Sequence, residues 1–406
     1  VRREGTSSAE ISISQDSGLI ESVGSPTGEA DIVLDRNHLI FPGFGDLHVH
    51  AREDESGSQN YKEDFESMAR AAICGGVAHG GDMPNSPSSP TTADRYKKKA
   101  ELARRSSVHV TLYGGIGPGT KPLSFPAPYK AFMGPSVGDL FFTSYEELED
   151  VISHYGGEHI SFHCEDPSVL ERYKDESTHE ARRPKEAEIS GVDFALHLIQ
   201  KYRLHGELCH ISLMEGVRKA IKAKRKGVSV TIEVTPHHLY FDASMITEKN
   251  RLWLQMNPPL RTSHDDKLEL IESLRNGDID YLATDHAPHT IEEKMKGVSG
   301  VPHLDTYGSF VTWLMKEHHF SPEEIVRVCS YNPGQFVHPF LPEGFGNGFG
   351  DIAPGWIGSL TVINTERPTT ITRDMLKTKC GWSPFEGVTF PGSVVYTILK
   401  GKPHKI

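Results

Sequence analysis

Eight short apolar segments recur along the middle of the chain, and stretches with helical periodicity lie between most of them. This alternation constrains the fold more than any other feature. Strands are predicted over 44–49, 77–82, 108–113, 129–133, 159–163, 207–211, 228–234 and 280–283. Helices are predicted over 62–74, 93–105, 145–155, 186–202, 216–226 and 265–275, where apolar residues return every three to four positions. Strand-helix units repeated in this way form a parallel sheet. Eight of them predict a (β/α)8 barrel with its functional groups at the C-terminal ends of the strands. The chain ends differ. Segments 10–14, 19–23, 31–35, 359–364 and 394–400 read as short strands punctuated by Gly and Pro. They predict a small β-domain of sandwich type built from both ends, residues 1–40 and 345–406, with the barrel at 41–344 inserted between them.

Several classes of function are excluded or disfavoured. The 43 Lys and Arg against 55 Asp and Glu leave a formal charge of −12. That is the wrong sign for a general nucleic-acid binder, which needs a basic footprint. The basic runs at 97–99 and 222–226 read as solvated helix faces. No apolar run reaches the ~18–20 residues of a membrane span, and Val1-Arg2-Arg3-Glu4 is not followed by a secretory-type apolar segment. Cys74, Cys164, Cys209, Cys329 and Cys380 are odd in number and widely spaced. They predict reduced thiols and a cytoplasmic protein.

Residues with metal-ligand chemistry collect where these strands end. Asp46-Leu-His-Val-His-Ala-Arg52 closes the first strand. Residues two apart share a strand face, so His48, His50 and Arg52 point one way, with the imidazoles about 7 Å apart along the strand. Taken alone, an H-x-H pair is more often a solvated edge. Lys130 lies within a short apolar strand, where an ammonium is costly unless paired or modified. A surface lysine on a misassigned strand is the competing reading. His163, His210 and Asp285 end three further strands. Each alone is more often structural, but their recurrence at strand ends is what a barrel-mouth metal site requires. Strand alternation turns Cys164 and Cys209 to the opposite face, and His237-His238 read as structural. The segment Gly134-Pro-Ser-Val-Gly-Asp139 reads as a connecting loop rather than a lid.

The motifs together resemble the amidohydrolase superfamily, and within it the dihydroorotases. Pro42-Gly-Phe-Gly-Asp-Leu-His-Val-His50 is similar to the superfamily's opening motif. Gly75-Gly76 with Asp82-Met-Pro-Asn85, Thr235-Pro-His-His238, Asn257-Pro-Pro-Leu-Arg261, Thr284-Asp-His-Ala-Pro-His289 and Ser383-Pro-Phe-Glu-Gly387 resemble dihydroorotase blocks in the same order. The chain departs from the pattern at Glu53-Asp54-Glu55, which sets three acids beside Arg52, and at Asn332-Pro-Gly334 and Ile357-Gly-Ser359.

The resemblance implies a cyclic amidohydrolase of pyrimidine biosynthesis with two Zn2+ ions. His48 and His50 would hold the more buried ion, and His163 and His210 the second. Lys130 would bridge both as a CO2-derived carbamate. Asp285 would be both a ligand and the general base and acid. A zinc-bridging hydroxide would open the cyclic amide of (S)-dihydroorotate reversibly to N-carbamoyl-L-aspartate. Arg52, Asn85 and His289 would take the substrate carboxylate, and Asn257 would line the ring. By propensity alone Asn85 is also a plausible turn residue, and His289 a helix cap. The partner is then a small molecule, neither nucleic acid nor membrane, and a homodimer is the family expectation. Two alternatives remain. One is an allantoinase or dihydropyrimidinase/hydantoinase type, which tends to lack Arg52. The other is a catalytically silent scaffold, which would have lost metal ligands.

Overall fold

The computed structural model describes residues 1–25, 28–135, 140–261 and 263–406. Positions 136–139 of the loop after Lys130 lie outside that set. In chain order the strands are β1 (Glu10–Ile13), β2 (Ile20–Gly24), β3 (His38–Pro42), β4 (Phe44–Val49), β5 (Val77–Asp82), β6 (His109–Leu112), β7 (Gly114–Ile116), β8 (Tyr129–Phe132) and β9 (His159–His163). They continue as β10 (His205–Leu208), β11 (Val230–Val234), β12 (Tyr281–Leu282), β13 (Leu360–Asn364), β14 (Thr369–Thr370), β15 (Thr389–Phe390), β16 (Ser393–Leu399) and β17 (Lys402–Lys405).

The predicted barrel is present. Strands β4, β5 and β6 pair in parallel, as do β7 through β12 in sequence order. Tyr113 joins β6 to β7, so the two act as one barrel strand with neighbours on both sides. The ring closes between first and last strands: His50 N donates to His286 O at 2.9 Å, and His286 N to His48 O at 3.2 Å. The last strand is short because the chain must turn at Asp285 to deliver its side chain. A polar group, His48, Lys130, Glu207 and Glu233, is fully buried among the barrel strands.

Local chemistry explains the helices. Helix Phe65–Gly75 starts with Asp64 capping Ser67 N and stops at Gly76, whose φ of 79° favours glycine. Helix Lys185–Tyr202 and helix Met214–Lys224 pack beside each other outside β9 to β11. At β4, Gly45 is required by close approach, because a Cβ there would lie 2.2 Å from the His79 ring.

A four-stranded sheet of order β17-β16-β13-β3 brings both chain ends together, with β3 antiparallel to β13. A β1-β2 hairpin joins it through a Leu19–Ile357 bridge. Segment 31–35, expected as a strand, is not one. Val33 is 85% exposed, and Asp35 accepts from Asn37 N and pairs with His38. This Asx-type turn feeds β3 instead. Strand β3 runs through Gly43 directly into β4, so the β-domain sheet and the first barrel strand are one continuous path.

Candidate active site

Four imidazoles and one carboxylate converge at the C-terminal mouth of the barrel. His48 and His50 project from the end of β4 with ring centroids 5.5 Å apart. Both direct Nε2 at Asp285 Oδ1, at 3.3 and 3.0 Å. His163, at the end of β9, and His210, just past β10, face each other through Nδ1 and Nε2 at 3.0 Å. The His48 and His210 rings lie 5.2 Å apart and join the two groups. Lys130 is fully buried in β8, where its Nζ donates to Cys209 Sγ at 2.8 Å.

Backbone conformation is part of how these side chains are aimed. Arg52, His210 and Asp285 have φ of 57°, 38° and 48°. Non-glycine residues rarely adopt this region, and such strain collects at functional sites. Each lies two or three residues past the end of a barrel strand, where the chain turns away. The turn at His210 also corrects the expectation for Cys209. Cys209 shares the inward face of Glu207 and meets Lys130, and it is His210, past the end of β10, that departs from alternation to join it.

Three of the four imidazoles have an outer partner on their remaining nitrogen. Glu233 Oε1 is 2.8 Å from His48 Nδ1, Asn85 Oδ1 is 2.7 Å from His50 Nδ1, and Glu165 Oε2 is 3.0 Å from His163 Nε2. Glu165 is itself held by Arg183 and Arg261. Burial opposes its charge, but Arg183, the His163 bond and Arg261 outweigh that and keep the carboxyl well below its usual range. Glu165 and Glu233 were not singled out from the sequence. The available signal was an acid inside an otherwise apolar strand end: Ile232-Glu233-Val234 and His163-Cys164-Glu165.

Electrostatics suit metal binding. Burial first, and Lys130 second, pulls His48 down to about 3. Burial likewise lowers His50, His163 and His210. All four are therefore neutral at pH 7 and present lone pairs, the form a metal needs. The donor atoms of His48, His50 and Asp285 lie within 4.8 Å of one another, as do those of His48, Cys209 and Glu233. His210 Nδ1 and Glu233 Oε2 are buried without a partner. The donor set fits divalent cations of the zinc type. An unmodified Lys130 ammonium does not, since its charge acts against every imidazole around it.

Beside the metal-type cluster lies a buried guanidinium, that of Arg52. Arg52 is 3% exposed, its Nη2 is 3.2 Å from His289 Nε2, and its Nε and Nη1 are buried with no partner. A buried guanidinium with two idle donors demands an acceptor. Asn257 Oδ1 also lacks a partner at this end of the barrel. The three acids after Arg52 are spent elsewhere. Glu53 pairs with Arg105 and accepts from Phe65 N, Asp54 accepts from Ser56 N and Ser88 N, and Glu55 pairs with Lys98. His237 and His238 are structural, bonded to His303, to Thr235 and to Pro258 O.

A strap from the far end of the chain closes one wall. Trp382 Nε1 donates to His289 O at 2.7 Å. Thr378 Oγ1 and Lys379 N both bind the buried Glu63, which also meets Ser67 and His286.

Comparison with known proteins bears on the family and the fold. Residues 140–403 match the model of a family described as Amidohydrolase family. A dihydroorotase of Pyrococcus furiosus is 32% identical over 375 residues, 92% of this chain and 83% of its own length. A dihydroorotase of Thermococcus kodakarensis is 32% identical, with 96% and 89% covered. Among solved structures, an L-hydantoinase (dihydropyrimidinase) from Arthrobacter aurescens superposes with a TM-score of 0.86 at 24% identity, over 99% of this chain and 93% of that one. A D-hydantoinase from Thermus sp. superposes at 0.82 with 20% identity, over 99% and 93%. At those identities the structures speak for the fold alone.

Proposed function

The chain belongs to the amidohydrolase family, and from that premise we propose that it is a dihydroorotase of pyrimidine biosynthesis. It is a cyclic amidohydrolase acting on a small molecule, and its reaction is the reversible opening of (S)-dihydroorotate to N-carbamoyl-L-aspartate. The observation that carries the choice of substrate is Arg52. Its buried, partly unpartnered guanidinium lies next to His289 at the edge of the imidazole cluster. A ring bearing a carboxylate satisfies it, whereas a neutral ring leaves a desolvated cation without a partner. The hydantoinase and allantoinase readings are weaker for that reason.

His48, His50 and Asp285 would hold one Zn2+ and His163 and His210 a second, with Lys130 bridging as its carbamate. Carboxylation turns the one group of the wrong charge into an anion where an anion is needed. When bound, the metal pair supplies Lewis acidity and makes hydroxide available near neutral pH. The chain's own residues do the rest. Asp285 takes the proton released as water adds to the ring carbonyl and delivers it to the ring nitrogen that leaves. Glu233, Asn85 and Glu165 fix the tautomers and orientations of His48, His50 and His163. Arg52 binds the carboxylate with its planar fork of donors, His289 and Asn85 add contacts, and Asn257 faces the ring.

The same reading assigns residues 1–40 and 345–406 to a small β-domain and 41–344 to the barrel, supported by the β3–β13 pairing. It also takes the enzyme to be a cytoplasmic homodimer. No helix among the described residues is long and apolar enough to cross a membrane.

The test is ring opening by purified protein supplied with zinc and bicarbonate, with dihydroorotate, allantoin and dihydrouracil in parallel. Turnover of dihydroorotate alone is expected. Turnover of a neutral ring instead overturns the role given to Arg52, and no turnover with metal bound restores the scaffold reading.

A further inference from the structure

His289 faces two obligate donors and one acceptor. Its Nε2 lies 3.2 Å from Arg52 Nη2. Its Nδ1 lies 3.4 Å from Lys62 Nζ and also 3.4 Å from Glu293 Oε2. Lys62 is 5% exposed and its Nζ sits 2.8 Å from Glu293 Oε1, which also accepts from Tyr61 Oη at 2.7 Å. The backbone of His289 is held by the Trp382 bond to its carbonyl. Burial comes first in holding the imidazole well below its ordinary pKa, followed by Arg52, Lys62, Lys294 and His50, so the ring is neutral. A neutral imidazole has one N–H and one lone pair. Both Arg52 and Lys62 need the lone pair, and only one of them can have it at a time.

Two arrangements resolve the conflict. With the proton on Nδ1, the ring donates to Glu293 and Nε2 accepts from Arg52. With the proton on Nε2, Lys62 donates to Nδ1, and Arg52 and His289 both become donors facing the same space. The second arrangement leaves two N–H groups aimed at one another, and a carboxylate oxygen between them satisfies both. We infer that Lys62 is a positioning residue for the substrate carboxylate: with Glu293 it lets His289 switch tautomer, accepting from Arg52 without substrate and donating to the carboxylate with it. The switch is charge-neutral. Nδ1 releases its proton to solvent as Nε2 takes one up, while Glu293 keeps Lys62 and Tyr61 as partners in both states.

The inference deepens the dihydroorotase reading and rests on it. Two measurements test it. In steady-state kinetics, Lys62→Met raises KM for dihydroorotate about tenfold while kcat changes by less than about threefold, and Lys62→Arg recovers most of the loss. In nitrogen-15 spectra of histidine-labelled wild type, with the His289 signals assigned by their loss in His289→Asn, adding orotate moves the ring proton from Nδ1 to Nε2. In Lys62→Met it does not move. A folded Lys62→Met with unchanged KM overturns the inference. So does a wild-type His289 with the same tautomer before and after orotate, a result that requires no variant at Lys62. Wild type that turns over dihydroorotate but fails these tests removes only the role of Lys62. Wild type with no such turnover removes the functional reading itself.

Discussion

Asn85 Oδ1 lies 2.7 Å from His50 Nδ1, so an amide expected to meet the substrate also fixes the outer face of an imidazole in the metal-type cluster. Its acceptor holds His50 in the Nδ1–H tautomer, and that leaves the Nε2 lone pair directed at Asp285's side of the site.

Replacing Asn85 with Ala is therefore expected to lower metal affinity about ten- to a hundredfold, the usual cost of losing an outer partner of a histidine ligand. Competition with a chromophoric chelator measures it. Unchanged metal affinity with only KM raised would confine Asn85 to substrate.

On the proposed mechanism, Asp285→Asn is expected to keep the fold and to remove the proton carrier. Turnover should fall by about two to four orders of magnitude. The check is kcat at saturating dihydroorotate together with metal content. Near-normal kcat would take Asp285 out of proton transfer.

On the same reading, Arg52→Ala is expected to remove a charge-assisted grip worth about 2–3 kcal/mol, roughly a hundredfold in kcat/KM. Most of the effect should fall on KM for dihydroorotate. An unaltered KM would mean the carboxylate binds elsewhere.

Lys130→Arg retains the positive charge and cannot form the carbamate. Turnover near background and loss of bound zinc are expected. Carbon-13-labelled bicarbonate should give a protein-bound carbamate resonance in wild type that is missing from the variant. Full zinc loading of Lys130→Arg would show that the bridge is dispensable.

The lower end of the barrel predicts an acid-sensitive fold. His79 is buried with both ring nitrogens unpartnered, 4.4 Å from the Phe349 ring. Burial, then His109, lowers it to about 3, and burial, then Lys400, lowers His109 to about 4. Both lie below the ordinary value of about 6.5, so the unfolded chain binds more protons as pH drops. The stability they contribute is intact above about 6.5 and is lost progressively as pH falls through 4 toward 3, by up to ~1.4 kcal/mol per pH unit for each group. Thermal midpoints recorded over that range should flatten in His79→Phe. An identical slope in the variant would place the sensitivity elsewhere.

The barrel was legible because each strand is a short apolar run with polar or Gly-rich flanks. The clustering of His48, His50, His163, His210 and Asp285 followed from their place at strand ends. Two features were not legible. The 31–35 segment has strand-like residues, but Asp35 finds a local hydrogen bond with Asn37 that competes with pairing. Cys209 keeps the inward face of Glu207, and it is the positive φ of His210 that brings two successive residues to the same side. The outer partners were also hidden, for a different reason. Glu233 is 185 residues from His48 in sequence, and nothing local announces that the barrel will bring them to 2.8 Å.

Glu63 joins the first helical segment of the barrel to a strap 315 residues later, through Thr378. A ribosome builds this chain from the other end, so nearly the whole barrel emerges before the strap can dock. Until then the acid lacks its late partners, and His289 lacks the indole that holds its carbonyl. The contacts of Thr378 and Trp382 are thus among the last that synthesis makes available, and a product shortened before Thr378 would lack them.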